Sequence, residues 1–281
     1  KTTVEKVTLS PKSEYLEVKA NGTYKVDIVT GDESYPSFDD KLPEDLDEDS
    51  AKLLKTSLFY QVYNINDSAV SKSNADGIYT GYLLDEGKAV TSDIIRVCLN
   101  PIESIGTRLL IPSPLMKLLA SLTEDKLYLW NLDDEYIYVS TSSVEIYGRL
   151  MEGIEDYQDM SVMDEQEFEG SVKLATANIQ AILERLTLFM SPFDKGTIHL
   201  DFGPKQLAII TTSGSKEVVK YAEVTSTADF SCALNSILLR DILATVNEEY
   251  FTLEFGNDLS IRITANGVTY YLATQEEGEE A

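Results

Sequence analysis

YFTLEFGNDLSIRITANGVTYYL, residues 250–272, reads as a strand, a short turn, a second strand, an Ala-Asn-Gly turn and a third strand, since alternating and β-branched runs are broken only by Gly, Asn and Asp. Nearly the same phrase stands near the start, as VTLSPKSEYLEVKANGTYKV (residues 7–26), and in the middle, as LYLWNLDDEYIYVSTSSVEIY (residues 127–147). Anchored on Val18, Val139 and Ile263, the copies lie 121 and 124 residues apart. A period that long implies a repeated domain whose last part is a three-stranded meander.

The segments between the copies repeat as well. Residues 51–62 (AKLLKTSLFYQV) lack Gly and Pro and follow Asp49 and Ser50 as cap candidates, so the pattern predicts a helix there. GIYTGYLL and KAVTSDIIRVCL follow as strands, and PSPLMKLLASLT (112–123) as a second helix, with Ser113 as cap and Pro114 in its first turn. The order then recurs: a helix over 174–189, the strands TIHLDF, QLAIITT and EVVKYAEV, and a helix over 233–246. The expected fold class is α+β, with two helices packed on antiparallel sheets in each module. The expected boundaries are residues 1–40 for the closing part of a first module, 41–160 for a second and 161–281 for a third. Because Lys1 stands in what reads as a strand lead-in, the start of the chain is expected to be missing.

A hydrophobic fraction of 43% over 281 residues suffices for packed cores, and no apolar run approaches the roughly 20 residues of a membrane helix. Cys98 and Cys232 sit in apolar strand-like runs, the setting of reduced, buried thiols, which favours a cytoplasmic location. The net charge of −25 argues against a polyanionic partner until the acids are located. Residues 32–49 hold nine of them, residues 152–169 eight with no Lys or Arg, and the tail QEEGEEA four, all in connectors or termini. The four expected helix segments carry Lys52, Lys55, Lys117, Arg185 and Arg240 against only Glu184 and Asp241, a net +3. That reads either as ordinary solvated helix positions or as one surface kept for a polyanion.

Catalysis finds little support. The single histidine, His199, alternates opposite Ile198, Leu200 and Phe202 on a strand, and no second His or Cys pair stands at ligand spacing. The acidic runs lack the spaced Asp-x-Asp-x-Asp-Gly loop of a calcium site, and Gly-rich phosphate loops are absent. The expectation is a non-enzyme without cofactor or metal.

Three segments carry a family likeness. DESYPSFDD (32–40) and YGRLMEGIEDYQDM (147–160) resemble the segments that end the first and second domains of the bacterial sliding clamp, the beta subunit of the replicative DNA polymerase. Arg149-Leu150, Gly153 and Asp156-Tyr157 match that pattern, while Glu155 replaces its usual Pro. TSDIIRVC (91–98) resembles the family's Thr-Asp-Gly-x-Arg-Leu strand, with Asp93, Arg96 and Val97 in register and Ile94 in place of Gly. The resemblance spans essentially the whole chain. It implies a processivity factor: a head-to-tail homodimeric ring with helices lining a hole for duplex DNA, held without sequence preference, and sheets outside. Lys52, Lys55, Lys117, Arg185 and Arg240 would face DNA. The ring interface would join Gly22, Tyr24 and Lys25, on a strand running to Ile28, with Leu188 and Phe189 of another copy. DNA polymerase and clamp loader would dock short apolar peptides in a pocket of Ala75, Ile94, Ile95, Arg96, Val97, Met160, Leu238, Leu259 and Leu272, although each of these residues also fits plain core packing. Where the family ends in pocket-walling Met and Pro, this chain runs from Ala273, Thr274 and Gln275 into acid, so its peptide specificity would differ. A phage-encoded clamp, serving its own polymerase or co-activating transcription, fits that departure. The rival is a β-rich structural protein, such as a virion component, that uses the same module without encircling DNA.

Overall fold

The computed structural model describes residues 6–27, 42, 46, 48–190, 196–226, 229–257 and 259–275. The chain divides into two compact units, Lys1–Leu46 and Asp47–Ala281. The first unit contains an antiparallel meander of β1 (Thr8–Pro11), β2 (Tyr15–Lys19) and β3 (Thr23–Asp27), in which Val18 pairs with Leu9 on one side and Tyr24 on the other. Strand β3 is exposed along its length. Ile28 and the family-like connector 32–40 lie outside the described residues.

The second unit consists of two equivalent halves. The N-terminal half runs β4 (Lys52–Lys55), α1 (Thr56–Asn66), β5 (Gly81–Asp85), β6 (Lys88–Ser92), β7 (Arg96–Pro101), β8 (Leu109–Pro112), α2 (Ser113–Ala120), β9 (Lys126–Leu132), β10 (Tyr136–Ser140) and β11 (Glu145–Arg149). The C-terminal half repeats it as β12 (Gly170–Ala175), α3 (Thr176–Thr187), β13 (Thr197–Phe202), β14 (Gln206–Thr211), β15 (Lys216–Lys220), β16 (Glu223–Ser226), β17 (Phe230–Asn235), α4 (Ser236–Ala244), β18 (Tyr250–Phe255), β19 (Ser260–Ala265) and β20 (Val268–Ala273). Among the described residues, only β16, which pairs with β12, has no counterpart in the first half. Two sheets of this unit are four-stranded, in the orders β11-β10-β9-β4 and β15-β14-β13-β17. The third sheet has nine strands, β16-β12-β18-β19-β20-β7-β6-β5-β8, and crosses from one half to the other where β20 pairs antiparallel with β7.

Every helix begins where a strand ends, and this displaces the expected helix boundaries. The residues expected to start helices, Lys52–Lys55, Leu174–Ala175 and Ala233–Asn235, are strand instead, and Pro112 ends β8. Each junction turns within a single extended residue: Lys55, Pro112, Ala175 and Asn235 have ψ between 112° and 147° and directly precede their helices. With no Gly between strand and helix, local composition does not mark the corner. Lys52 and Lys55 therefore belong to β4, paired with Leu129 and Lys126, and not to a helix. The described helices carry Lys117, Arg185 and Arg240 against Glu184 and Asp241, so their net charge is +1 and not the expected +3.

The helices bury one stripe each. In α3 it is Ile179, Ile182, Leu183 and Leu186, the spacing of a single helical face. One core, built around Phe59, Val62, Met116, Leu119, Ile137 and Val139, fills the N-terminal half. Another, around Leu183, Leu200, Leu243, Phe251 and Ile263, fills the C-terminal half and takes in Ala69 and Cys98 from the first. On the helix-free side of the nine-stranded sheet, Leu83, Val90, Val97, Leu99 and Tyr271 are covered by the connector 151–168, which buries Tyr157 among them. Cys98 and Cys232 are both buried free thiols, as expected, and burial pushes the Cys232 thiol up to about 12. His199 is half-buried on β13 and alternates with the core residues Ile198 and Leu200.

Candidate functional site

The seam between β7 and β20 carries the site. Strand alternation sends Tyr270 and Cys98 toward the helices and their neighbours Tyr271 and Val97 to the opposite face. Residues 92–96 connect β6 to β7 in a tight turn. The Ser92 hydroxyl accepts the Ile94 N–H at 3.0 Å, and Asp93 Oδ1 accepts the N–H groups of Ile95 (3.2 Å) and Arg96 (2.9 Å). This turn holds Ile94 at φ +75°, a conformation that a β-branched side chain rarely adopts, and leaves Ile94 and Ile95 exposed. The second wall comes from the end of β20, where the Ala273 N–H donates to the Ile95 carbonyl at 2.8 Å and the Thr274 N–H to the Leu259 carbonyl at 3.0 Å. Leu259 is 71% exposed. The connector closes the third side. Its residue Asp164 accepts the Tyr271 hydroxyl at 2.8 Å, and Gln166 accepts the Ser260 hydroxyl at 2.6 Å. Burial, reinforced by the Asp164 carboxylate, pushes the Tyr271 phenol up to about 12.

These walls enclose a depression of about 370 Å³. Of the residues expected to form a peptide pocket, Ile94, Ile95, Val97, Met160 and Leu259 line it. Ala75, Arg96, Leu238 and Leu272 do not. Leu272 is fully buried on the helix side, one residue out of phase with Tyr271. Arg96 is out of phase with Val97 in the same way. Its guanidinium bonds Asp93 at 2.8 Å and turns toward α4, where it reaches the Leu238 carbonyl (3.4 Å) and Asp241 (3.5 Å). Leu238 packs against the C-terminal core, and Ala75 sits exposed on the short 3-10 segment Asn74–Thr80. The lining residues that sequence reading missed include Tyr79, Met163, Gln166 and Tyr271. The alternation VTYYL offered Tyr271 as readily as Leu272, and only the face of the sheet decides between them.

The other predicted groups are dispersed. Lys52 and Lys55 are exposed on β4 and Lys117 on α2, while Arg240 is half-buried on α4. Arg185 on α3 grips the Glu217 carboxylate with two nitrogens, at 2.9 and 2.6 Å, so its charge is already matched. Of the expected ring-interface residues, Tyr24 and Lys25 are exposed on β3, Gly22 lies in the turn before it, and Leu188 and Phe189, just beyond α3, are 80% and 64% exposed.

No family model matches the chain, and no curated protein matches it. Solved structures do. The chain superposes on DNA polymerase III beta chain from Streptococcus pneumoniae with a TM-score of 0.78, at 18% identity over 96% of this chain and 75% of that one. It matches the DNA polymerase III beta subunit of Thermotoga maritima with a TM-score of 0.77 (17% identity, 96% and 76% of the two chains), and the DNA polymerase sliding clamp of Bacillus subtilis with 0.77 (15%, 98% and 76%). The protein has the fold of these clamps.

Proposed function

We propose that this protein is a non-catalytic sliding clamp that encircles duplex DNA without sequence preference and tethers a replicative polymerase. The observation that carries the reading is the clamp fold itself, with two helix-and-sheet repeats joined in one chain by strand pairing at β7 and β20. A closed ring retains DNA topologically, so its inner surface needs only weak contacts to phosphates, and a helix layer with a net charge of +1 suits a surface that must slide. Lys117 and Arg240 on the helices, with Lys52 and Lys55 on β4, are the cations assigned to DNA, while Arg185 is held by Glu217.

In this reading residues 1–40, 41–160 and 161–281 are three modules, and two chains close a ring head to tail. The β3 segment at Tyr24 and Lys25 would meet Leu188 and Phe189 of the partner copy, exposed apolar groups that an interface would cover. The depression at Ile94, Met160 and Leu259 takes short apolar segments of the polymerase and of the clamp loader, acting in the cytoplasm.

The test is retention on circular DNA. Protein loaded onto nicked circles stays bound through gel filtration and is released when the circle is cut. Equal retention on circular and linear DNA, or none on either, refutes the clamp reading in favour of a scaffold with the same fold.

A further inference from the structure

We infer that the segment captured by the Ile94–Leu259 depression is flanked by lysine or arginine, so that the site selects basic-flanked apolar peptides over acidic ones. This rests on the clamp reading for the existence of a docked peptide and adds the chemistry of its flanks.

The floor and rim are apolar where a side chain would anchor: Ile94, Ile95 and Leu259 are exposed by half or more, and Met160 and Met163 stand opposite on the connector. Among the described residues, no lysine or arginine lines the depression. Two arginines on the strands beside it are committed elsewhere. Arg96 is buried, faces α4 and is paired with Asp93 and Asp241. Arg262 is clamped by both oxygens of Glu254, at 2.5 and 2.6 Å, and lies 4.8 Å from the Phe168 ring.

The acids along the connector are exposed. Asp159 sits between the lining residues Gln158 and Met160, Asp164 and Glu165 between Met163 and Gln166, and Glu167 directly after. Asp164 is fixed at the wall by the Tyr271 hydroxyl. The whole stretch 152–169 holds eight acids and no cation. Arg149 pairs with Glu152, and Lys88 and Arg108 share a cavity with Asp159, so the negative charge of the rim rests on Asp164, Glu165 and Glu167. An apolar peptide leaving this depression passes a negative rim. Lysine or arginine flanks gain there and aspartate or glutamate flanks are repelled, which sets partner choice and association rate more than total affinity.

The experiment measures anisotropy of three labelled peptides that share one Leu-Phe core, with Lys, Ser or Glu flanks, against the whole chain. The expected order is Lys tightest and Glu weakest. The Lys-to-Glu ratio should be tenfold or more at about 50 mM salt and collapse at about 500 mM, as screening shortens the range of the rim charges. E165Q/E167Q should abolish most of that ratio and leave the Ser-flanked peptide unchanged. E103Q/E145Q, which removes two exposed acids elsewhere, should leave the ratio intact. Equal or tighter binding of the Glu-flanked peptide, or an equal loss in E103Q/E145Q, overturns the inference while the docking site stands. If none of the three peptides binds, or if Leu259→Asp leaves the Ser-flanked peptide bound as before, the docking site itself fails and the inference with it.

Discussion

The last strand of the repeat meets two fates in this molecule. In the C-terminal half, β20 is flanked by β19 and β7 and buries Val268, Tyr270, Tyr271 and Leu272. In the N-terminal half its counterpart, β11, ends its sheet among the described residues and buries only Ile146 and Gly148. The sequences differ accordingly. VTYYLA is apolar on both faces, as a strand paired on both edges and covered on both sides requires, whereas EIYGR alternates and carries a charge at each end. One architecture thus shows two burial patterns because, among the described residues, β20 has a neighbouring strand from the other repeat and β11 does not.

The largest perturbation should come from cutting the polar tie across the joined seam. Arg96→Met leaves Asp93, most of which is buried, without its partner, and should cost about 3 kcal/mol in denaturant unfolding. Because the same side chain reaches α4, unfolding of the two halves should also become less coupled, whereas Arg149→Met at the end of β11 should change nothing measurable. A matched pair of glycines comes next. A β-carbon on Gly170 runs into the Phe255 ring, which is stacked on Phe202 at 3.9 Å between centroids, and one on Gly148 runs into the Leu115 side chain. Both alanine variants should be destabilised by about 1–3 kcal/mol, with Gly170→Ala the worse because an aliphatic side chain can rotate away and a stacked ring cannot.

A smaller effect of opposite sign is expected at the seam turn. Ile94→Gly removes a β-branched residue from φ +75° and should raise stability by about 1 kcal/mol in thermal melts. Under the proposed docking role it should also weaken capture of apolar peptides, since the exposed side chain goes with the strain. The last effect vanishes at neutral pH. The Tyr271 phenol is raised from about 10 to about 12, so its contribution is complete below pH 10 and is lost as pH climbs through 12. Tyr271→Phe should flatten part of that alkaline decline in a pH series of melts, while Tyr147→Phe on β11 should alter it less.

The repeat was legible because alternating strands survive in all three stretches and the Ala-Asn-Gly turn in the first and last, and the structure forms β1–β3, β9–β11 and β18–β20 over them. Two helix starts left a mark in the sequence. Ser113-Pro114 put the start of α2 within one residue of where it lies, with Pro112 and not Ser113 at the cap. Asn235 accepts the N–H groups of Ile237 and Leu238, so the Asn-Ser pair in ALNSILLRD did carry a cap signal. Lys55 and Ala175 bring no side-chain cap, and nothing local tells KLLK in β4 from the first turn of a helix. Around the depression, the family likeness brought in Ile94 and Leu259, which line it, together with Arg96 and Leu272, which pleating sends to the far face. Which face of a seam strand looks outward depends on the other half of the chain, 176 residues away along the backbone between Arg96 and its partner Leu272, and no short window contains that information.

The nine-stranded sheet has a mechanical consequence. With backbone bonds running unbroken from β16 to β8, the two repeats are welded into one stiff piece, and bending at the weld would strip the ladder between residues 96–99 and 269–272. In the proposed ring, admitting DNA therefore calls for a gate at some other strand margin, and a crosslink bridging the weld should leave the rate of entry unchanged.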